Sequence, residues 1–276
     1  MKYDPNLIYD LGLHKGEDTE YYLKRGFRVV SVEADEDLVR RSQVEFREYI
    51  EDGRLVIIHG AISDAAEDWI TFYKNPKVSV WGTVVKSWAE RNSNLGADSV
   101  EVTVRVVKLK RLFEDYGIPY YLKIDIEGMD LFALKTLLLC AERPKYVSIE
   151  SEKVDFDKLI EEFKVLEELG FDSFFLVEQS GVSKQKIPEN STEGKMIKFE
   201  FKQGSSGLFG SDLGDAWISK EEAVDRYRDV FRMYRIFGDR SLFTKVYPLR
   251  VAKGILQKLM RKQIPGWYDT HARLRD

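Results

Sequence analysis

The sequence predicts an α/β protein built on a mostly parallel, doubly wound, Rossmann-like sheet with a C-terminal helical extension. Three observations predict it. Short runs rich in Val and Ile alternate with segments of helical spacing. A glycine-bearing turn joins the first apolar run to the first helix. Successive runs end in acids, at the strand ends where open α/β sheets bind ligands.

The elements follow in order. Ile8 to Leu11 is a short strand, residues 12–16 a turn, and Thr19 to Arg25 a helix stopped by Gly26. Arg28 to Glu33 is a second strand, Glu36 to Ile50 a helix and Leu55 to Ile58 a third strand, completing the first βαβαβ half. Trp69–Tyr73 and Val100–Val107 alternate and read as additional strands around an irregular stretch from Asn75 to Gly96. A short helix over Leu109–Tyr116 precedes a fourth core strand at Tyr120–Ile124, whose following helix covers Leu131–Ala141. Tyr146–Ile149 is a fifth strand and Phe156–Leu169 an amphipathic helix ended by Gly170. Ser173–Val177 and Met196–Phe201 read as a closing strand pair, and Gln203–Asp215 as a loop. Ser219 caps a helix through Phe237, with Glu222 completing a capping box, and Leu249–Arg261 is amphipathic and basic.

Residues 1–202 thus form the α/β domain. Residues 203–276 are a Gly/Ser loop and a basic helical tail, expected to pack on the same domain as a substrate cover. At 43% hydrophobic and 33% charged residues the chain is globular rather than disordered. It lacks an apolar run near the roughly 20 residues that a spanning helix needs, and its N-terminus is unlike a signal peptide. The lone Cys140 permits no intrachain disulfide, so the cytoplasm is the expected compartment. The net charge of −4 divides into +9 from Arg226 to Asp276 and −13 elsewhere. An acidic body excludes a general nucleic-acid surface, while the basic helix leaves peripheral membrane contact open.

Tyr9-Asp10-Leu11-Gly12-Leu13-His14-Lys15-Gly16 is the first chemical motif. Dinucleotide sites want G-x-G-x-x-G, because the middle glycine lets a pyrophosphate approach the backbone. Here that position is His14. The spacing suits a ligand without phosphates, such as S-adenosylmethionine. Gly12 and Gly16 would allow its close approach, the helix N-terminus would meet its carboxylate, Asp10 its ammonium, and Glu33 its ribose. A glycine-softened turn in an unrelated protein is the alternative reading.

Leu122-Lys123-Ile124-Asp125-Ile126-Glu127-Gly128 is the second motif, and Glu150 closes the next strand. Their carboxylates point to the same crevice. Together the two motifs resemble the FkbM family of methyltransferases, whose hallmark strand reads like residues 122–128. The resemblance covers roughly residues 7–178 and implies a class I methyltransferase fold and an S-adenosylmethionine cofactor. It places Glu33 as the acid after the second strand and residues 60–64, Ala61 among them, beside the adenine. It implies transfer to a hydroxyl of a sugar, glycan or secondary metabolite.

A hydroxyl is a poor nucleophile near neutrality and needs a base or a cation. Asp125 is the first candidate base, followed by Glu127 and Glu150. If Mg²⁺ is used instead, Asp125 and Glu150 would hold it. The bland reading has Glu127 capping the next helix and Glu150 pairing with Lys123. His14, His59 and His271 read as a loop, a partly buried structural and a solvated histidine. Among the aromatics, Trp81 and Phe209 are the better candidates for a sugar platform, ahead of Trp88, Trp217, Tyr234 and Trp267. The basic tail suggests an anionic or lipid-carrier-linked acceptor. Two rivals remain: a nicotinamide-dependent oxidoreductase, and a non-enzymatic membrane-surface or scaffold protein that uses the tail.

Overall fold

A computed structural model describes residues 1–152, 155–238 and 267–275, with isolated positions between 241 and 257. Most of the amphipathic basic segment 249–262 lies outside the described residues.

The elements run β1 (Tyr3–Leu11), α1 (Glu17–Lys24), β2 (Arg28–Glu33), α2 (Glu36–Glu45), α3 (Arg47–Glu51), β3 (Leu55–His59), β4 (Ala61–Ile62), β5 (Trp69–Lys74), α4 (Lys86–Asn94), β6 (Val100–Val107), α5 (Leu109–Tyr116), β7 (Ile118–Ile124), α6 (Asp130–Thr136), β8 (Tyr146–Glu150), α7 (Phe156–Glu168), β9 (Phe171–Glu178), α8 (Lys220–Phe237) and β10 (Tyr268–Leu274). Seven strands form the main sheet in the order β3-β2-β1-β7-β8-β10-β9. β3, β2, β1, β7 and β8 are parallel, and β10 runs antiparallel between β8 and β9. A second sheet, β4-β6-β5, stands beside the carboxyl end of β3.

Alternation along each strand sends side chains to two cores. Leu7, Tyr9, Leu11, Leu122, Ile124, Val147 and Ile149 pack with Phe113, Leu134, Phe163 and Tyr227 of α5, α6, α7 and α8. Ile8, Val29, Tyr121, Tyr146 and Val177 face the other way, onto Tyr21, Tyr22 and Leu23 of α1. On that second face the irregular chain between β9 and α8 takes the place of a helix. Its Val182, Phe201, Leu208 and Phe209 complete the apolar layer. Arg25, fully buried, ties this segment down through the Asp212 carboxylate at 3.2 Å and the Ser191 hydroxyl, with the Glu193 carbonyl as a further acceptor.

Four expectations change. The expected helix over 36–50 breaks at Phe46 (φ −105°), whose ring packs inward as α2 gives way to α3. The stretch 75–96 contains a 3₁₀ turn at Ser79–Trp81 and the helix α4. Residues 196–201 are not the partner strand of β9; β10 is, drawn from the far end of the chain. The tail therefore closes the main sheet as well as carrying helix α8. His271 is consequently not solvated. It is buried on β10, and its ring stacks 6.3 Å from Tyr121.

Candidate active site

A cleft opens at the carboxyl ends of β1, β2, β3 and β7, with about 670 Å³ of empty space when the open solvent at its mouth is included. Gly12, Glu33, Ala61, Asp125 and Glu127 all line it, as does His14. Four of those come from the ends of three different strands, which meet because the parallel sheet puts every such end on one edge. The far wall is formed by Ser79, Val80, Gly82, Thr83 and Val84; Trp81, the residue of this stretch that sequence reasoning put forward as a sugar platform, is not among the lining residues. No described residue of 203–276 lines the cleft.

Glu33 is buried, and both carboxylate oxygens are held: one accepts from the backbone N–H of His14, the other from that of Asp35, each at 2.8 Å. Burial raises its pKa, and those two hydrogen bonds act against the rise. The contact fixes the turn after β1 against the end of β2. His14 itself has φ +51° and Glu127 φ +47°. They are the only non-glycine positions of positive φ among the described residues, and both line the cleft. Backbone held in that region is strained and clusters at functional sites. The His14 imidazole lies 2.9 Å from the Ser79 hydroxyl, linking the turn to the opposite wall, and 3.4 Å from Glu17.

The two turn glycines are required for a reason other than ligand approach. A β-carbon on Gly12 (φ +93°) would sit 1.9 Å from the backbone oxygen of Asp125, where β1 and β7 crowd together. One on Gly16 (φ +81°) would sit 2.3 Å from the Phe46 ring, so Gly16 does not serve as a direct opening to the cleft.

Asp10 is a correction. As an even-numbered residue of β1 it faces α1, not the cleft, and it is fully buried. Its carboxylate accepts from the Thr19 hydroxyl at 2.7 Å and from the Lys123 ammonium at 3.0 Å. Its partner is an internal lysine rather than a cofactor ammonium. Lys123 also lies 3.6 Å from Asp18 and 3.8 Å from Asp125. Burial alone would depress the lysine's pKa; Asp10, Asp125 and Asp18 more than reverse that. Burial pushes the Asp18 carboxyl up to about 6 against the pull of Lys123.

Asp125, Glu127 and Glu150 do come together. Each offers a carboxylate oxygen, and the three oxygens lie within 4.8 Å of one another, half-buried at the ends of β7 and β8. Neither bland expectation for them holds in the expected form. The turn before α6 is held by Asp130, which accepts from the backbone N–H groups of Ile126 (3.0 Å) and Gly128 (2.9 Å). Burial pushes Asp130 up to about 7. Lys123 bonds to Asp10 rather than pairing with Glu150. Asp269, missed by sequence reasoning, stands directly opposite Glu150 in the β8–β10 register. Its signal was a short Tyr-Asp-Thr-His strand beyond Pro265, hidden in a tail that reads as helical. His59 is exposed, its ring beside the Ala34 carbonyl at 3.2 Å. Phe209 is wholly buried, stacked 4.7 Å from Tyr121, and is core rather than a sugar platform.

The described residues include no helix long and apolar enough to cross a membrane. The model of the FkbM methyltransferase domain matches residues 10–173. No curated protein sequence matches the chain. Among solved structures, the methyltransferase FkbM from Methylobacillus flagellatus KT is 21% identical with a TM-score of 0.42, covering 64% of this chain and 41% of its own. This chain thus spans well under half of that protein's length. A SAM-dependent methyltransferase from Geobacter sulfurreducens, solved with S-adenosyl-L-homocysteine, is 12% identical with a TM-score of 0.37, covering 100% and 86%. One from Archaeoglobus fulgidus is 11% identical with a TM-score of 0.37, covering 98% and 86%. With a family match over more than half of its length, on a class I methyltransferase sheet, this chain belongs to the FkbM methyltransferase family.

Proposed function

We propose that the protein is an S-adenosylmethionine-dependent O-methyltransferase acting on a hydroxyl of a sugar, glycan or secondary metabolite. One observation carries the reading: a strand-end cleft bounded by Gly12, Glu33 and Ala61 ends on the Asp125–Glu127–Glu150 carboxylates. A phosphate-free cofactor suits it, because His14 and Glu33 occupy the ground a pyrophosphate would need. Glu33 would accept from the ribose hydroxyls with the lone pairs that its two backbone bonds leave over. Ala61 and Ile62 offer apolar surface for the adenine.

The cofactor supplies an electrophilic methyl group on sulfur. This chain supplies alignment, which accounts for much of the acceleration in an in-line displacement. It also supplies a base. Asp125, partly exposed at the cleft, takes the hydroxyl proton, with Glu127 and Glu150 as the next candidates. The acids at the reaction centre favour a neutral hydroxyl there. The +9 tail favours an anionic group elsewhere on the acceptor, such as a carrier phosphate.

Thermal melting with S-adenosylhomocysteine, NAD and anionic vesicles in parallel tests the reading. Stabilisation by the first alone is expected, worth about 2.7 kcal/mol at a hundredfold excess over Kd. Stabilisation by NAD alone would make the chain an oxidoreductase, and by vesicles alone a surface-binding protein. Asp125→Asn should retain affinity for S-adenosylhomocysteine within severalfold while turnover falls by roughly two to four orders of magnitude.

A further inference from the structure

We propose that Ser79 and Thr83 are positioning residues for methyl transfer: from the far wall of the cleft they clamp its two strained residues, His14 and Glu127. Their role rests on the S-adenosylmethionine reading. His14 (φ +51°) belongs to the first motif and Glu127 (φ +47°) to the second. Each meets the same short segment. The Ser79 Oγ lies 2.9 Å from the His14 Nε2, and the Thr83 hydroxyl donates to the Glu127 carbonyl at 2.6 Å. Both non-glycine residues of positive φ among the described residues are therefore tied to one wall.

The wall is itself fixed from behind. Thr83 is buried and exchanges both backbone hydrogen bonds with Tyr73 of β5, at 2.8 and 3.3 Å. Its hydroxyl also accepts from the backbone N–H of Val85 at 3.0 Å. The Asn92 side chain of α4 donates to the Trp81 carbonyl at 3.1 Å. Gly82 packs so closely on Phe72 that a β-carbon there would lie 2.5 Å from the ring. The small sheet β4-β6-β5 thus carries the wall, and the wall reaches the two turns of the main sheet through two side chains.

Positive φ outside glycine costs free energy and persists only where the surroundings over-determine it. Each strained residue has local contacts: Glu17 stands beside the His14 ring, and Asp130 holds the amides on either side of Glu127. The wall adds an anchor from a different element. What it holds is the geometry of the site. The His14 N–H bonds the Glu33 carboxylate, and the backbone direction at Glu127 sets whether its carboxylate joins those of Asp125 and Glu150. Releasing Ser79 loosens the cofactor end of the cleft. Releasing Thr83 loosens its acid end.

The test is amide hydrogen exchange on the full chain, read by mass spectrometry over residues 12–16 and 124–130, with S-adenosylhomocysteine calorimetry on the same samples. Ser79→Ala should speed exchange in 12–16 but not in 124–130, and weaken S-adenosylhomocysteine about three- to tenfold, as loss of one hydrogen bond does. Thr83→Val should do the reverse, speeding exchange in 124–130 alone and leaving that affinity near the wild-type value. Thr83→Ser, which keeps the hydroxyl, should match the wild type in both measurements. Exchange in β2 and β3 should not change in any variant. Exchange that rises across the whole main sheet, a Thr83→Val chain that does not fold, or a Thr83→Ser variant no better than Thr83→Val makes Thr83 a support of the fold and overturns its positioning role. Unchanged exchange in 12–16 with unchanged affinity in Ser79→Ala overturns the role of Ser79. Wild-type protein that does not bind S-adenosylhomocysteine sinks the methyltransferase reading itself, whatever the exchange rates.

Discussion

The turn at 12–16 and the segment at 204–210 look alike in sequence, since both are glycine-bearing and polar, yet they do opposite work. The first edges the cleft, with His14 in a strained conformation and its N–H on Glu33. The second is packing material. Ser206 donates its backbone N–H to Asp18 at 2.8 Å, and Phe209 stacks on Tyr121 beneath it. The two meet at the N-terminus of α1 from opposite sides. Glycine in a turn therefore says that backbone comes close to something. It does not say whether that something is a ligand or another part of the chain. At Gly12 it is the Asp125 carbonyl.

Substitutions separate the two regions. The largest effect is expected from Gly12→Val, whose β-carbon meets backbone that cannot withdraw. The cost should exceed about 4 kcal/mol, enough to prevent folding, as judged by far-ultraviolet circular dichroism and melting. A folded variant that has merely lost S-adenosylhomocysteine binding would restore the ligand explanation for that glycine.

Phe209→Ala comes next. Removing a fully buried ring from the layer between Tyr121 and Tyr22 should cost about 3–5 kcal/mol in urea denaturation. Affinity for S-adenosylhomocysteine should stay within severalfold. Unchanged stability with lost activity on acceptors would instead make 204–210 a substrate cover.

Glu33→Ala is expected to weaken S-adenosylhomocysteine by about 1–3 kcal/mol in calorimetry, the usual range for a hydrogen bond to a charged group. It also frees the His14 and Asp35 N–H groups, so a smaller drop in melting temperature should accompany it.

The smallest effect concerns pH. His271 is buried with both ring nitrogens unpartnered, and burial depresses its pKa to about 3. The unfolded chain takes up a proton below about pH 6.5 that the folded chain refuses until near 3, so stability falls as pH drops through that window. Between pH 7 and 5 this group should remove ~1–2 kcal/mol. His271→Phe should lessen that loss relative to wild type. Raised carboxyls such as Asp130 and Asp18 act in the opposite direction in both proteins, so the difference between the two denaturation series isolates the histidine. Identical acid limbs would mean that the ring is accessible.

Much of this molecule was legible in the sequence because its information is local. Short apolar, Val- and Ile-rich runs specified β1, β2, β3, β7 and β8, and the acids at the ends of β2, β7 and β8 located the cleft. The motif at 122–128 identified the family. The clustering of Asp125, Glu127 and Glu150 was readable too, since parallel strands present their carboxyl ends on one edge.

Tertiary structure decided the rest, in each case because the deciding contact lies far away in sequence. Asp10 reads as a ligand until Lys123, 113 residues on, appears beside it. The glycine-serine segment reads as a flexible cover until Phe209 is found against Tyr121. β10 is seven residues of mixed polarity following a basic helical stretch, and no local pattern says that it will slot between β8 and β9. That insertion depends on backbone groups of two other strands, β8 on one side and β9 on the other, both distant in sequence from β10. It is also what brings Asp269 opposite Glu150 and buries His271. Periodicity and motif determine which residues form strands and which edge is chemical. Only the folded sheet determines which carboxylates share that edge and which are already neutralised inside it.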